Sequence, residues 1–448
     1  MTVANTYQAV CSVRAFGAKG DGTTDDTNVI QTAIDQGFTT GATVFFPAGV
    51  YRVSQLVLRK GTILQGVSSG TYPDNNTISG ASVIARLANS NKDLLLAPDG
   101  ANYCRVFDIA IDGNKNNNSA GHGLYVADGA AGQEGQILVE RCYFHDNPDS
   151  NVYLGHNRRA NSVHNGVFNY SLKGDGITDA GSDNTISSNI IGTNGRAGIC
   201  LGTTATQNWG AASTANAAAI AHVNNNDIYG NLVGIAVANG SSGCMITGNG
   251  IDRNKYQGVT VYSGASNALV ANTFHSNGTG TDNAYAHIDV AAGVTQVCVS
   301  NNNFGPLDAG ISNVASYCLS VAPGTARVVG QIGAVDPTAA HAVSNTLSGA
   351  PPWAIISNVG ALIQGSGNDV LILRNKAGVT TARVTESGGL TVSGVAGTTA
   401  GARFAGGTKS GAPTSGTWTA GDFAIDQTGK IWIYNGAQWV TGASATAG

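Results

Sequence analysis

Charged residues are scarce in this chain, so the place where acids and histidines gather is informative. Of 448 residues only 11% are charged, yet Asp149, His156, Asp175 and Asp179 fall within one short stretch. Carboxylates in pairs do general acid–base work, and an imidazole exchanges protons near neutral pH. Arg158 and Arg159 follow His156, with His122 and Tyr153 upstream and Trp209 in a weakly polar insertion. Cations and aromatic faces of this kind hold polar ring-shaped ligands by hydrogen bonding and stacking. Asp149, His156, Asp175 and Asp179 are therefore the candidate catalytic residues. His122, Tyr153, Arg158, Arg159 and Trp209 are the candidate substrate-binding ones. A second reading stays open, because Asp and Asn are frequent in tight turns for backbone reasons alone.

Other chemistries find little support. Gly66–Gly70 matches GxSxG, but Tyr72 and Pro73 follow where a nucleophile elbow needs a helix. Asp112–Asn116 resembles half a calcium loop, yet the twelfth position is Gly123 instead of Glu. No metal ion or cofactor is expected. The seven cysteines are odd in number and spread out with no CxxC, which suits reduced core thiols in a chain made in the cytosol. A net charge of −4 with pI near 6.0 leaves no basic footprint for nucleic acid. No apolar run suits a membrane-spanning helix, and the first residues do not read as a signal peptide. With 62 Gly and 10 Pro, an ordinary apolar share and little charge, the composition excludes disorder, coiled coil and collagen. What remains is a β-rich protein clothed in hydroxyls and amides.

The elements that must position the candidate residues emerge from a repeat. Val106, Val139, Val163, Ile186, Val223, Ile246, Leu269 and Val299 align in one aliphatic column. Five residues on comes a second: Ile111, Phe144, Phe168, Ile191, Ile228, Ile251, Phe274 and Phe304. Between them the fourth position reads Ile109, Cys142, Gly166 and then Asn189, Asn226, Asn249, Asn272 and Asn302, and five positions later Asn114, Asn147, Asn194, Asn231, Asn254 and Asn277 recur. A basic period of 23 residues with occasional insertions accounts for the spacing. Each unit is followed by a short strand such as Leu124–Val126 or Val152–Leu154. Such a unit buries its apolar face only by stacking, which predicts a parallel β-solenoid with three strands per coil. Asn in these columns suits the left-handed conformation of a sharp turn, and stacked amides can also bond along the ladder. Asp179 is the misfit, since it occupies a strand position that is aliphatic in the other coils. It is either buried with a raised pKa or turned outward by a bulge.

Before the repeats, Asp25 and Asp26 precede an amphipathic run with Val29, Ile30, Ala33 and Ile34 on one helical face. The run from Phe16 to Gln36 (FGAKGDGTTDDTNVIQTAIDQ), followed by VFFPAGVYRV, resembles the N-terminal segment of the pectate-lyase-like right-handed parallel β-helix superfamily. That segment is common in bacteriophage tailspikes and polysaccharide depolymerases, and with the coils the resemblance covers roughly residues 11–330. It implies the fold firmly and the chemistry loosely, because the scaffold hosts lyases, hydrolases, epimerases and plain binders. In that superfamily the loops flanking the strand after each unit frame a sugar cleft. Carboxylates one coil apart would then have the separation of a retaining glycosidase, and wider pairs that of an inverting one.

The expected organisation is an N-terminal cap over 1–50, a β-helix over 51–330, a linker over 331–365 and a C-terminal β-rich module over 366–448. That module holds Trp418, Trp432 and Trp439 and resembles the small β-modules that close phage tail proteins. The resemblance implies a homotrimeric phage tailspike made in the host cytoplasm and carried on the virion tail beside other phage tail proteins. Its partner would be a bacterial surface polysaccharide that it binds and cleaves, with no nucleic acid and no membrane insertion. A non-enzymatic tail fibre and a bacterial cell-wall or exopolysaccharide enzyme are the competing readings.

Overall fold

A computed structural model describes residues 9–70, 80–130, 135–203, 217–305, 307–313, 315–322, 328–332, 341–345, 369–374, 380–385, 390–392 and 402–441. The chain divides into two compact units, one of Met1–Ser348 with Trp353–Asn358 and one of Gly349–Pro352 with Val359–Gly448.

In the first unit each coil gives one strand to each of three parallel sheets. One coil supplies Leu138–Glu140 to the first sheet, Tyr143–His145 to the second and Val152–Leu154 to the third. Each pairs in parallel with its counterpart one coil on: Val139 with Val163, Phe144 with Phe168, Tyr153 with Thr178. The aliphatic column from Val106 to Val299 is a buried ladder of the lumen, and the column from Ile111 to Phe304 is its neighbour on the second sheet. Phe144 stacks on Phe168 at 5.5 Å and Phe274 on Phe304 at 5.2 Å between ring centres. Fully burying one such side chain is worth roughly 1.5–3 kcal/mol against exposure, before ordering entropy is set against it. This is the parallel β-helix that the repeat predicts.

The asparagine columns act differently from the turn-forming role expected of them. The left-handed residue at the first corner is the one before the column: Ser188, Asn225, Gly248, Ala271 and Asn301, with φ of 57°, 55°, 67°, 55° and 54°. From Asn189 and Asn194 onward the column asparagines are buried and point along the axis, whereas Asn114 takes the left-handed conformation itself, with φ of 48°. Oδ1 of Asn226 accepts both the backbone N–H and the Nδ2 of Asn189, each at 3.0 Å. The same double bond links Asn226 to Asn249, Asn249 to Asn272 and Asn272 to Asn302. A second ladder runs Asn194, Asn231, Asn254, Asn277 at the next corner. A buried corner leaves a peptide N–H facing the next coil, and an amide oxygen there satisfies it.

The first turn of the solenoid is closed by helix α1, Thr27–Thr40. Ile30, Ala33 and Ile34 are wholly buried in the same core as Val44 and Phe46. The Asp26 carboxylate accepts the N–H groups of Lys19 and Gly20 at 2.8 and 2.9 Å, tying the preceding loop to the helix start. Gln31 covers the open edge of the third sheet's first strand, Leu56–Val57, its amide accepting from Val57 N–H and donating to Val57 carbonyl. At the other end the ladders continue past residue 330: Val328–Ile332 pairs with Val297–Phe304, and His341–Asn345 with Tyr317–Val321. The expected linker therefore begins too early, since 331–345 still contains coil strands.

In the second unit the described strands, from Asp369–Arg374 to Trp439–Thr441, form one sheet that is antiparallel except where Ala402–Thr408 meets Phe423–Asp426. Asp426 organises it, accepting from Thr428, Lys430, Gly411 and the indole N–H of Trp432.

Asn249→Ala removes one rung, taking the acceptor from the Asn226 backbone N–H and the donor from the Val223 carbonyl in a buried corner, while the Asn226 Nδ2 keeps only the Ile186 carbonyl. We expect a loss of about 2–5 kcal/mol, at 1–3 kcal/mol per unsatisfied buried group. Chemical denaturation measures it, and a change below about 1 kcal/mol would dismiss the ladder as a structural element.

Candidate active site

The outer face of the third sheet carries a second column, in register: Leu96, Tyr125, Tyr153, Thr178, Cys200, Ala236, Thr260, Asp289. Alternation along each strand sends the flanking residues into the lumen and this one outward. Tyr125 and Tyr153, one coil apart, stack with ring centres 4.9 Å apart. His122, just before the strand of Tyr125, lays its imidazole against both rings, at 5.3 and 5.2 Å. All three are half-buried.

The surroundings fix their protonation. Burial pushes the His122 pKa down; the carboxylates of Asp93 and Asp149 pull it up and lose, while Arg86 adds to the lowering. Its Nδ1 is enclosed without a hydrogen-bond partner, and its backbone N–H donates to Asp93 at 2.9 Å. Burial, helped by Asp128, raises both tyrosine phenols, and Thr203 bonds the Tyr153 hydroxyl. At neutral pH this is an unprotonated imidazole beside two protonated phenols, a base and an acid in one stack.

Arg86, itself fully buried, holds the His122 segment from behind, donating to the carbonyls of Gly121 and His122 at 3.1 and 2.5 Å. Its guanidinium is pushed down to about 10 by burial and keeps its charge. Asp149 accepts the Gly121 N–H at 2.7 Å and faces Lys173 at 3.5 Å, whose side chain is 57% exposed. Asp149, His122 and Tyr153 from the sequence reading are thus brought together. Tyr125, Arg86, Asp93 and Lys173 join them without having been singled out, since their signal is proximity across coils.

The other candidates lie elsewhere. Asp175 is 1% exposed, and both its oxygens are engaged, Oδ1 by Ala197 N–H and Arg196, Oδ2 by Thr178. Asp179 faces the lumen between Leu154 and Leu201, with no exposed surface. Of the two alternatives for it, burial is the one observed. Its Oδ1 accepts from Gly181 and Asn184, its Oδ2 has no partner, and burial raises its pKa to about 6. Neither acid has a surface that a ligand outside the coil could touch. Arg158 is likewise fully buried, reaching Asp99 at 3.2 Å and the Ala101 carbonyl at 3.3 Å, so it staples coils instead of lining a surface. Arg159 is exposed beside Asp183, and His156 is half-buried after the strand of Tyr153, its backbone N–H bonded to Asp128. Trp209 lies outside the described residues. Asp112, His145 and Asp146 converge on the outer face of the second sheet. There the Lys115 ammonium sits 2.9 Å from Asp146, where a bound cation would.

A family profile described as "Rhamnogalacturonase A/epimerase, pectate lyase-like" matches residues 10–213. This match, together with the parallel coils, supports the pectate-lyase-like β-helix superfamily that the N-terminal segment resembles. The chain is 29% identical over 199 residues to alginate lyase 7 of Azotobacter vinelandii, covering 40% of this chain and 21% of that protein. The chain spans about a fifth or less of the length of curated relatives such as this one. Among solved structures, the A-module of mannuronan C-5 epimerase AlgE6 from Azotobacter vinelandii superposes with a TM-score of 0.58 at 19% identity, over 78% of this chain and all of that one. Full-length tailspike protein 2 of Escherichia coli O157:H7 bacteriophage CAB120 superposes with a TM-score of 0.60 at 13% identity, over 98% of this chain and 63% of that one.

In this β-helix Asp179 sets a pH dependence of stability. Its folded pKa lies above the usual carboxylate value, so between about pH 4 and 6 the native state keeps a proton the unfolded state has lost. Stability therefore falls as pH rises through that window, by about 3 kcal/mol at 1.36 kcal/mol per unit. Asp179→Asn keeps an acceptor for Gly181 and Asn184 and should raise the melting temperature at pH 8 while changing it little at pH 4. An equal shift at both values would contradict the assignment.

Proposed function

We propose that this protein binds a uronic-acid-bearing bacterial surface polysaccharide across the outer face of the third sheet and cleaves it by β-elimination. The single observation carrying the reading is the His122–Tyr125–Tyr153 stack, which sets a neutral imidazole against protonated phenols. Elimination needs a base to take the proton α to the uronate carboxylate and an acid to protonate the departing glycosidic oxygen. His122 would be the base and Tyr153 the acid; as the C–H pair becomes the new C=C bond, the glycosidic C–O bond breaks. Lys173 offers the substrate carboxylate a cation. Hydrolysis is less well served, because Asp175 is engaged by protein groups and Asp179 is sealed in the lumen. Similarity to an alginate lyase and to mannuronan epimerases supports a uronate polymer as the substrate class.

The test is activity on alginate followed by the ultraviolet absorbance of the unsaturated product. His122→Gln and Tyr153→Phe should each lower kcat by about 10²- to 10⁴-fold with the fold intact by circular dichroism. Because the His122 pKa lies below the ordinary value of about 6.5, the acid limb of the rate profile should fall below pH 6.5. Full activity in either variant would remove the assignment.

The protein would act as a homotrimer on a phage tail. Likeness of fold to a tailspike over 98% of the chain supports this, as does the C-terminal sheet. There Ile425 pairs with Ile431 and Phe423 with Ile433 on one face, and the three isoleucines are 39–47% exposed. An apolar patch of this kind on a small sheet favours association. Light scattering should give three times 45.3 kDa, and a monomer would exclude the trimer.

A further inference from the structure

The edge where the chain enters the third sheet holds one residue per coil in a column whose order is fixed by backbone hydrogen bonds. Asp149 N–H bonds to Gly121, Arg196 to Gly174, Leu232 to Arg196 and Tyr256 to Leu232. Gly174 sits directly on Asp149, since a Cβ there would come within 2.3 Å of its carbonyl carbon. Tyr285 continues the column in the next coil, its ring centre 4.7 Å from that of Tyr256. His122, Asp149 and Lys173 thus stand at one end of a straight edge and the Tyr256–Tyr285 pair at the other. At about 4.8 Å per coil the two tyrosines lie roughly 19 and 24 Å from Asp149, the length of about four or five sugar residues.

The far end is built to hold rings. Tyr256 and Tyr262 seat on a small apolar cluster outside the lumen, formed by Ala197, Cys200, Val233 and Ala236, so the platform is backed by packed side chains. Tyr256 and Tyr285 are both half-exposed. The Lys255 ammonium lies 5.9 Å from the centre of the Tyr256 ring and is open to solvent. Aromatic faces take the C–H faces of sugars, and an ammonium beside them takes a carboxylate. Asp289, on the outer column of the third sheet in the coil of Tyr285, has its carboxyl pushed up by burial, which reduces the repulsion it would offer a uronate.

We propose that Lys255, Tyr256 and Tyr285 form a distal sugar-binding subsite for the same uronate chain that reacts at His122 and Tyr153. This rests on the function proposed above. A subsite so far from the reacting bond contributes uniform binding, which lowers KM for long chains and leaves kcat alone.

The experiment uses the full chain with alginate oligomers of about three and about eight residues. Tyr256→Ala/Tyr285→Ala should raise Kd and KM for the octamer about tenfold at unchanged kcat, and leave the trimer unaffected. Lys255→Ala should do the same to a smaller degree, with a steeper effect at low salt. An unchanged octamer affinity, or an equal loss for trimer and octamer, overturns the subsite. Binding is also read without turnover in a His122→Gln background, where adding Tyr256→Ala/Tyr285→Ala should again weaken the octamer about tenfold. If the wild type binds the octamer without turning it over, the lyase reading fails and the Kd comparison still decides the subsite. If the wild type binds neither oligomer, both fall.

Discussion

The structure depends on buried amides that pass hydrogen bonds from coil to coil at its corners. A corner turns the backbone sharply inside a packed solenoid, and the N–H it leaves there cannot reach water. Asn189, Asn226, Asn249, Asn272 and Asn302 supply the acceptor from the next coil, and where the residue one coil before is also asparagine its Nδ2 donates to that same oxygen. The corner of one coil is thus satisfied only when the next is in place, which makes the repeat cooperative with its neighbours and unstable alone. The rung from Asn189 to Asn226 is as short as the others although 37 residues separate them. An insertion between strands therefore costs the ladder nothing.

That tolerance explains how a site can be set on so regular a body. Strand pairing fixes the outward residues of the third sheet one coil apart, so Tyr125 and Tyr153 stack because the backbone beneath them stacks. His122 lies outside the strand and needs separate support, which Arg86 gives by gripping two successive carbonyls. A buried guanidinium bonded to carbonyls and Asn147 is a costly way to hold a loop. Its presence behind His122 marks that segment as one whose position matters.

Much of the scaffold was legible because its physics is periodic. The columns from Val106 to Val299 and from Ile111 to Phe304 follow from burial alternating with a period of two inside a period of 23. The asparagines were visible as a column, but their work was half misread: a backbone reading gave them the left-handed turn, which Ser188, Gly248 and Ala271 take instead. Residue type alone cannot separate a turn former from an amide whose partner is one coil away. Asp179 was legible as a misfit, yet whether its carboxyl pointed in or out depended on the register of the strand holding it. Among the residues of the candidate site, His122 and Tyr153 were named for binding and Asp149 for catalysis, from residue type alone. Arg86 was not, because it sits 36 residues before the carbonyl it holds at His122.

A stack of identical rungs has no inherent reason to stop. The first strand of the third sheet would offer its peptide groups to any strand brought against it, including the last coil of a neighbouring molecule. Gln31 answers them with a single amide, one acceptor for Val57 N–H and one donor for its carbonyl, delivered from a helix that cannot extend the sheet. The side chain imitates one peptide unit and ends there. A sheet that grows by repetition is thereby given an end at this strand, where a neighbouring strand would find its peptide groups already answered.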